Sequence, residues 1–320
     1  MYRDALVLDG HIDTPLRIAN DGIDFGGGGA SNHVDLPRMV DGGLDAVFMA
    51  AWVDPAVGPD RAFGRARDLL ALVQKTAAAH AERLVFATTA ADVIAAAANE
   101  RIALLAGVEN GDALEESVTN VERLYDHGAR YLTLTWMHTN ALGDAAGDEP
   151  AYGGLSPFGE SVVDAMNDIG MVIDLSHAAP TTFRDVIDRT SQPIVASHSA
   201  TEAHGPHPRN VSDDQLRAIA DNGGLIGINF FSDYLAPGTA DPDWTVIVDH
   251  IERVIDVAGV EHAALGSDMD GVPRLPSGFH GVEDLPLIAA ELERRGQTGG
   301  NLRKILGGNW LRVLDQVVKG

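Results

Sequence analysis

The sequence predicts an α/β fold, a TIM-like (β/α)8 barrel forming one domain over residues 1–320 with additional C-terminal helices. Two observations carry that expectation. Eight short apolar or β-branched runs recur between residues 5 and 265, and helix-like segments separate them. Strand and helix alternating so often over this length suits a closed barrel better than a doubly wound sheet.

The first run, 5–8, leads into "DGHIDTP", where Gly10 and Pro15 mark a passage from strand to loop. The second, 44–52, is followed by "RAFGRARDLLALVQKTAAAHAER", which reads as a long helix. Runs 102–108 and 130–135 flank "ALEESVTNVERLYDHG", and "GESVVDAMNDIG" precedes the run 171–175. "TTFRDVIDR" leads to 193–196, "SDDQLRAIADNGG" to 224–230 and "WTVIVDHIERVIDVAG" to 263–265. Several of these helices open on Asp or Ser and stop at Gly, the expected cap chemistry. The closing stretch, "GGNLRKILGGNWLRVLDQVVKG", reads as one or two amphipathic helices. "FGGGGAS" at 25–31 lacks the Lys-Ser/Thr of a P-loop and the strand–turn–helix setting of a dinucleotide site, so it reads as a flexible surface loop.

Composition narrows the function. With 47 acidic against 23 basic residues the net charge is −24, a surface that repels phosphate backbones and argues against nucleic-acid binding. There is no cysteine, which removes disulfides, thiolate metal sites and cysteine nucleophiles together. Any metal must therefore rest on His, Asp and Glu. Asp4 and Asp9 interrupt what a signal peptide would need, and no long apolar run exists to span a bilayer. A cytoplasmic protein without a membrane partner is the expectation.

A barrel carries its chemistry at the C-terminal ends of its strands. His11 and Asp13 follow the first run, and two residues apart they share a side if the strand continues that far. Alone, the pair reads equally as an exposed turn. Glu109 then follows the third run in the parity of Leu105 and Gly107, and His177 lies in line with Ile173 and Leu175. His198 continues the parity of Ile194 and Ala196, and Asp268 that of Ala264 and Gly266. Three His and three carboxylates without a thiol suit zinc or a similar first-row ion. Six such groups exceed the three protein ligands of one catalytic zinc, so a pair of ions sharing a carboxylate uses them better.

"DGHIDTP", "AGVENG", "ARYLTLTW", "VIDLSHAAPTTFRDV", "IVASHSATEAHGPHPRNVSDDQL", "ALGSDMDGVPRLP" and "LGGNWLRVL" occur in the order and context of the membrane (renal) dipeptidase family, zinc dipeptidases of the amidohydrolase superfamily. The resemblance spans about residues 7–315 and implies a barrel with two Zn²⁺ per chain. It implies that His11 and Asp13 hold one ion, that His177 and His198 hold the other, and that Glu109 bridges them. Asp268 matches the aspartate that hydrogen-bonds the metal-bridging water, and Arg209 matches the arginine that clamps the substrate carboxylate, a role suited to its bidentate fork. The implied reaction is hydrolysis of a dipeptide, L-Xaa followed by an L- or D-residue, with Asp268 carrying the proton. A homodimer is implied on the same ground.

One position departs from the family. Where many members have a His straight after "LTLT", this chain has Trp136, with His138 two residues on. Either His138 reaches the scissile carbonyl from a rearranged loop or that role passes to zinc alone; His138 is the residue expected here. No ligand role is expected of His33, His80, His127, His250, His262 or His280, and His204 and His207 read equally as solvent-facing loop residues. The same barrel and ligands also suit a hydrolase of N-acyl amino acids, lactones or β-lactams. More distantly, they suit a non-catalytic metal-binding barrel.

Overall fold

In the computed structural model, which describes residue 2, residues 5–28 and residues 32–319, eight parallel strands close into a barrel. They are β1 (Leu8–Ile12), β2 (Ala46–Trp52), β4 (Ile102–Glu109), β5 (Ala129–Thr133), β6 (Val172–Asp174), β7 (Val195–Ser199), β8 (Leu225–Ile228) and β9 (Ala263–Leu265). Pairing of β2 with β4, from Ala46↔Ala103 to Trp52↔Glu109, closes the ring. A short β3 (Leu84–Phe86) stands outside it and pairs only with the start of β4, on the side that β5 takes higher up. Three residues are too short to show a period, which is why the sequence does not announce it. The first strand begins where the expected run 5–8 ends, because its pairing starts at Leu8↔Ala46. Of the Gly cluster at 25–31, residues 29–31 lie outside the described residues.

Alternation along the strands sorts two cores. Leu8, Phe48, Leu105, Tyr131, Val172, Val195, Leu225 and Ala264, from all eight barrel strands, meet inside the barrel with Trp310. Val47, Leu104, Leu132, Ile173, Ala196, Ile226 and Leu265, of the opposite parity, join the core beneath the helices. Trp310 occupies the lower interior beside Gly10, where an added Cβ would stand 2.0 Å from its ring. One layer higher Gly107 leaves room for Tyr131, whose ring lies 2.1 Å from where a Cβ would be.

The helices follow the cap chemistry. Ser156 accepts from the Gly159 N–H at the start of Pro157–Ile169, which stops at Gly170 with φ 83°. Ser212 and Gln215 form a capping box on Asp213–Asn222, which stops at Gly223 with φ 82°. The expected helix over 113–128 is split, because Glu115 and Glu116 adopt φ 48° and 53°; only Thr119–Asp126 remains α-helical. Helices Ala90–Ala98 and Leu285–Arg294 add to those expected. Among the described residues no helix is long and apolar enough to cross a membrane.

Candidate metal centre and active site

Five of the expected side chains converge at the C-terminal mouth. Glu109, the last residue of β4, reaches His177 Nε2 at 2.9 Å and His198 Nε2 at 3.4 Å through Oε1, and His11 Nε2 at 3.5 Å through Oε2. His11 Nε2 lies 3.7 Å from Asp13 Oδ2, and the Nε2 atoms of His177 and His198 are 2.9 Å apart. All five residues are buried. His11, Asp13 and Asp268 also bring ligand atoms within 4.8 Å of one another.

Glu109 arrives by the parity read from sequence and Asp268 reaches the mouth from a left-handed residue three positions past the end of β9, but His177 and His198 do not follow the expected parity. Ile173, Leu175, Ile194 and Ala196 belong to the outer core, so strict alternation would send both imidazoles toward the helices. The expected parity is thus corrected. Strand β6 ends at Asp174, and His177 turns inward from a left-handed conformation, φ 71°. Within β7 the register advances three residues, Ala196 to Ser199, while β8 advances two. That bulge brings His198 inside. A matching bulge in β1, where Asp9 to Ile12 oppose Val47 to Met49, turns His11 inward and Ile12 outward. Asn110, His177, Asp268 and Asp270 all have φ between 62° and 84°, so unusual backbone collects around the mouth.

Buried polar groups behind the cluster orient the His198 and His11 imidazoles. Asp174 accepts from Ser176 N (3.0 Å) and Ser197 N (2.8 Å) on Oδ1, and from Thr133 Oγ1 (2.5 Å) and Ser197 Oγ (2.6 Å) on Oδ2. The single hydroxyl proton of Ser197 is therefore spent on Asp174. Ser197 Oγ, 2.8 Å from His198 Nδ1, must accept from that nitrogen, which leaves the His198 Nε2 lone pair facing Glu109. Tyr131 holds His11 Nδ1 at 2.8 Å, and Asp9 Oδ1 accepts from the His11 and Ser267 amides.

Charge follows from burial. Burial, then the Arg209 guanidinium, pushes the His177 pKa down to about 3, and burial with the His11 charge holds His198 well below the usual imidazole range. Both offer lone pairs. Burial opposes charge on His11 and Glu109 as well, but the Glu109 and Asp13 carboxylates hold His11 well above its ordinary value. The surrounding imidazoles hold Glu109 well below its own. Burial, then Asp13, pushes Asp268 well up. His11 Nε2 and Asp13 Oδ1 are buried without a hydrogen-bond partner. Orphaned nitrogen and oxygen donors, neutral imidazoles facing each other at 2.9 Å and crowded carboxylates fit cations of the borderline first-row type.

The cavity over this cluster is about 440 Å³ and is lined by Asp13, Glu109, His177 and Asp268 together with Trp52, Trp136, Met137, Phe231 and Tyr234. Asp268 accepts from Asn229 Nδ2 at 2.8 Å, and its amide donates to His11 O. Arg209 is buried beside Tyr234, its guanidinium 5.5 Å from the ring centroid, and Tyr234 rather than Arg209 lines the cavity. Arg209 Nη2 donates to His198 O at 3.1 Å, and Nε is buried without a partner.

His138 is not brought to the cavity. Its Nε2 is held by Asp112 Oδ2 at 2.9 Å, and Trp136 and Met137 line the wall instead. His33, for which the sequence offered no role, closes on Asp270: its amide donates to Oδ1 at 2.6 Å, next to the cavity-lining loop. Asp9, Tyr131, Asp174, Ser197 and Asn229 have no signal in sequence spacing, although all but Asn229 stand inside the family-like motifs.

A sequence profile for "Membrane dipeptidase (Peptidase family M19)" matches residues 1–319. Dipeptidase verJ of Clonostachys rogersoniana is 35% identical, over 99% of this chain and 85% of its own. Among solved structures, dipeptidase AC, a family M19 metallopeptidase, superposes with a TM-score of 0.90 at 27% identity, covering 98% of each chain. A metallopeptidase of Rhodobacter sphaeroides, liganded with a phosphinate mimic of the dipeptide L-Ala-D-Ala, gives 0.87 at 27% identity and covers 98% of this chain and 99% of its own.

Proposed function

The chain belongs to the membrane dipeptidase family, peptidase family M19, and is a metallo-dipeptidase; from that premise we propose that it holds two zinc ions and cleaves L-Xaa-L-Xaa and L-Xaa-D-Xaa dipeptides. The supporting observation is Glu109 set between three imidazoles, one oxygen toward His11 and the other toward His177 and His198. His11 and Asp13 would hold one ion, His177 and His198 the other, with Glu109 shared. Bound zinc supplies Lewis acidity toward the amide carbonyl and an acidified water near neutral pH.

The remaining work falls to side chains. Asp268, fixed by Asn229 and by its own amide, takes the proton of the attacking water and returns it to the leaving amine. The substrate carboxylate is assigned to Arg209, whose buried Nε has no partner; Tyr234 lines the cavity in its place, so that ring must turn aside for the contact to form. With one end held there and the amide over Glu109, only short peptides fit. Acceptance of a D-residue at the second position is supported by the L-Ala-D-Ala mimic bound to the Rhodobacter sphaeroides relative.

The test is a panel assay of zinc-loaded enzyme against L,L- and L,D-dipeptides, N-acyl amino acids, lactones and β-lactams. Release of free amino acids from dipeptides is expected. Turnover confined to another class would replace the dipeptide reading.

A further inference from the structure

Resting on that dipeptidase reading, we propose that Trp52 and Trp136 form the subsite for the side chain of the substrate's first residue, making the enzyme selective for dipeptides that begin with a large apolar residue. Trp52 ends β2, pairs in register with Glu109 and has the inward parity of Ala46 and Phe48. Its ring meets Trp136 edge-on, 5.0 Å between centroids at 65°. Trp136 in turn lies 6.3 Å from the His177 ring. The two indoles thus form one apolar wall beside the ligand cluster, both lining the cavity.

Topology assigns the Trp52 end of that wall to the first residue, and Trp136, which follows β5, joins it through the ring contact. Around the closed ring β2 lies four strands from β7 in either direction, directly across the mouth. Arg209 is tied to the far side through its bond to His198 O on β7. A dipeptide with its carboxylate at Arg209 and its amide over Glu109 therefore extends its first residue toward β2, the span of two residues being about 7 Å. The loop that carries Trp136 is also held in place. Met137, beside Trp136, rests on Gly147, where an added Cβ would lie 2.9 Å from its Cε. The loop around Gly147 is pinned by Asp144, which accepts from the amides of Ala151, Tyr152 and Gly154, and by Asp148, which accepts from Thr139 N. An indole wall offers no cation to an acidic side chain, and Arg17, which also lines the cavity, is paired to Asp21 at 3.0 Å. Large flat aromatic faces bury apolar side chains well.

Two substrate series on the zinc-loaded enzyme test the assignment: Xaa-Ala with Xaa as Gly, Ala, Leu, Phe and Asp, and Ala-Xaa with the same set. In wild type, kcat/KM for Leu-Ala should exceed that for Gly-Ala by roughly 10- to 100-fold, the worth of one buried side chain, and Asp-Ala, which gives the wall no apolar side chain, should fall well below Leu-Ala. In Trp136→Ala the Leu/Gly ratio of the first series should fall toward unity, with Trp136→Phe in between, while the ratios of the Ala-Xaa series stay as in wild type. Ratios within one preparation are unaffected by the fraction of folded enzyme. A flat first series in wild type, an unchanged Leu/Gly ratio in Trp136→Ala, or a change confined to the second series would overturn the subsite. Absence of turnover on every dipeptide would instead remove the dipeptidase reading beneath it.

Discussion

Replacing Asp174 by Asn should invert the tautomer of His198 without emptying the space around it. The Asn carbonyl still accepts from Ser176 N and Ser197 N, both of which require an acceptor. Its amide then faces Thr133 Oγ1 and Ser197 Oγ, which donate to the native carboxylate at 2.5 and 2.6 Å. Both hydroxyls can rotate to accept. The released Ser197 proton turns to His198 Nδ1, 2.8 Å away, so the ring proton moves to Nε2, the atom facing Glu109 and His177. A ligand nitrogen carrying a proton does not bind metal. Loss of such an orienting partner weakens metal binding about 10- to 100-fold, roughly 1.4 to 2.8 kcal/mol at 1.4 kcal/mol per decade. Exchange of charged for neutral hydrogen bonds should separately cost the metal-free protein about 1–3 kcal/mol of stability. Competition against a chromophoric chelator measures the first quantity, and urea unfolding of chelated protein the second. Ser197→Ala, which removes the acceptor for Nδ1–H, should weaken metal binding in the same direction. Affinity within twofold of wild type in both variants, with the fold intact, would refute the relay from Asp174 to His198.

Asp268→Asn should retain its metal and lose turnover by about 10³-fold, within the usual range for a general acid–base group. Metal analysis by plasma emission checks the first half, and zinc lost along with activity would make Asp268 a ligand instead. Glu291 is held at a pKa of about 2 by Arg294 and Arg295, below its ordinary 4.5. A depressed carboxylate stabilises the fold above its unfolded value and loses that contribution as pH falls. Melting temperatures of Glu291→Gln should therefore drop less steeply than wild type between pH 4.5 and 2, and parallel profiles would discount the ion pairs. Gly107→Ala places a Cβ 2.1 Å from the Tyr131 ring, which also holds His11. Urea denaturation should show a loss of at least about 2 kcal/mol, and an unperturbed midpoint would mean that Tyr131 is freer to move than its packing implies.

The barrel was legible from the chain alone because its signals are local. Apolar runs at strand spacing, the Ser cap at residue 212 and glycine stops at 170 and 223 each act within a few residues of themselves. The chemical types of the ligands, and the inward parity of Glu109 at the end of β4, belong to that same local information, since a regular strand alternates its faces without reference to its neighbours. What needed the tertiary structure is wherever regularity breaks. His11 and His198 face inward through bulges that exist only relative to β2 and β8, and His177 does so through a left-handed turn that the assembled mouth holds in place. Asp112, 26 positions from His138, draws that ring away from the cavity, and Trp52 meets Trp136 across 84 positions of chain. Period and propensity describe a residue against its sequence neighbours; which face a side chain finally takes at a bulge or loop is set by contacts that only the closed barrel makes.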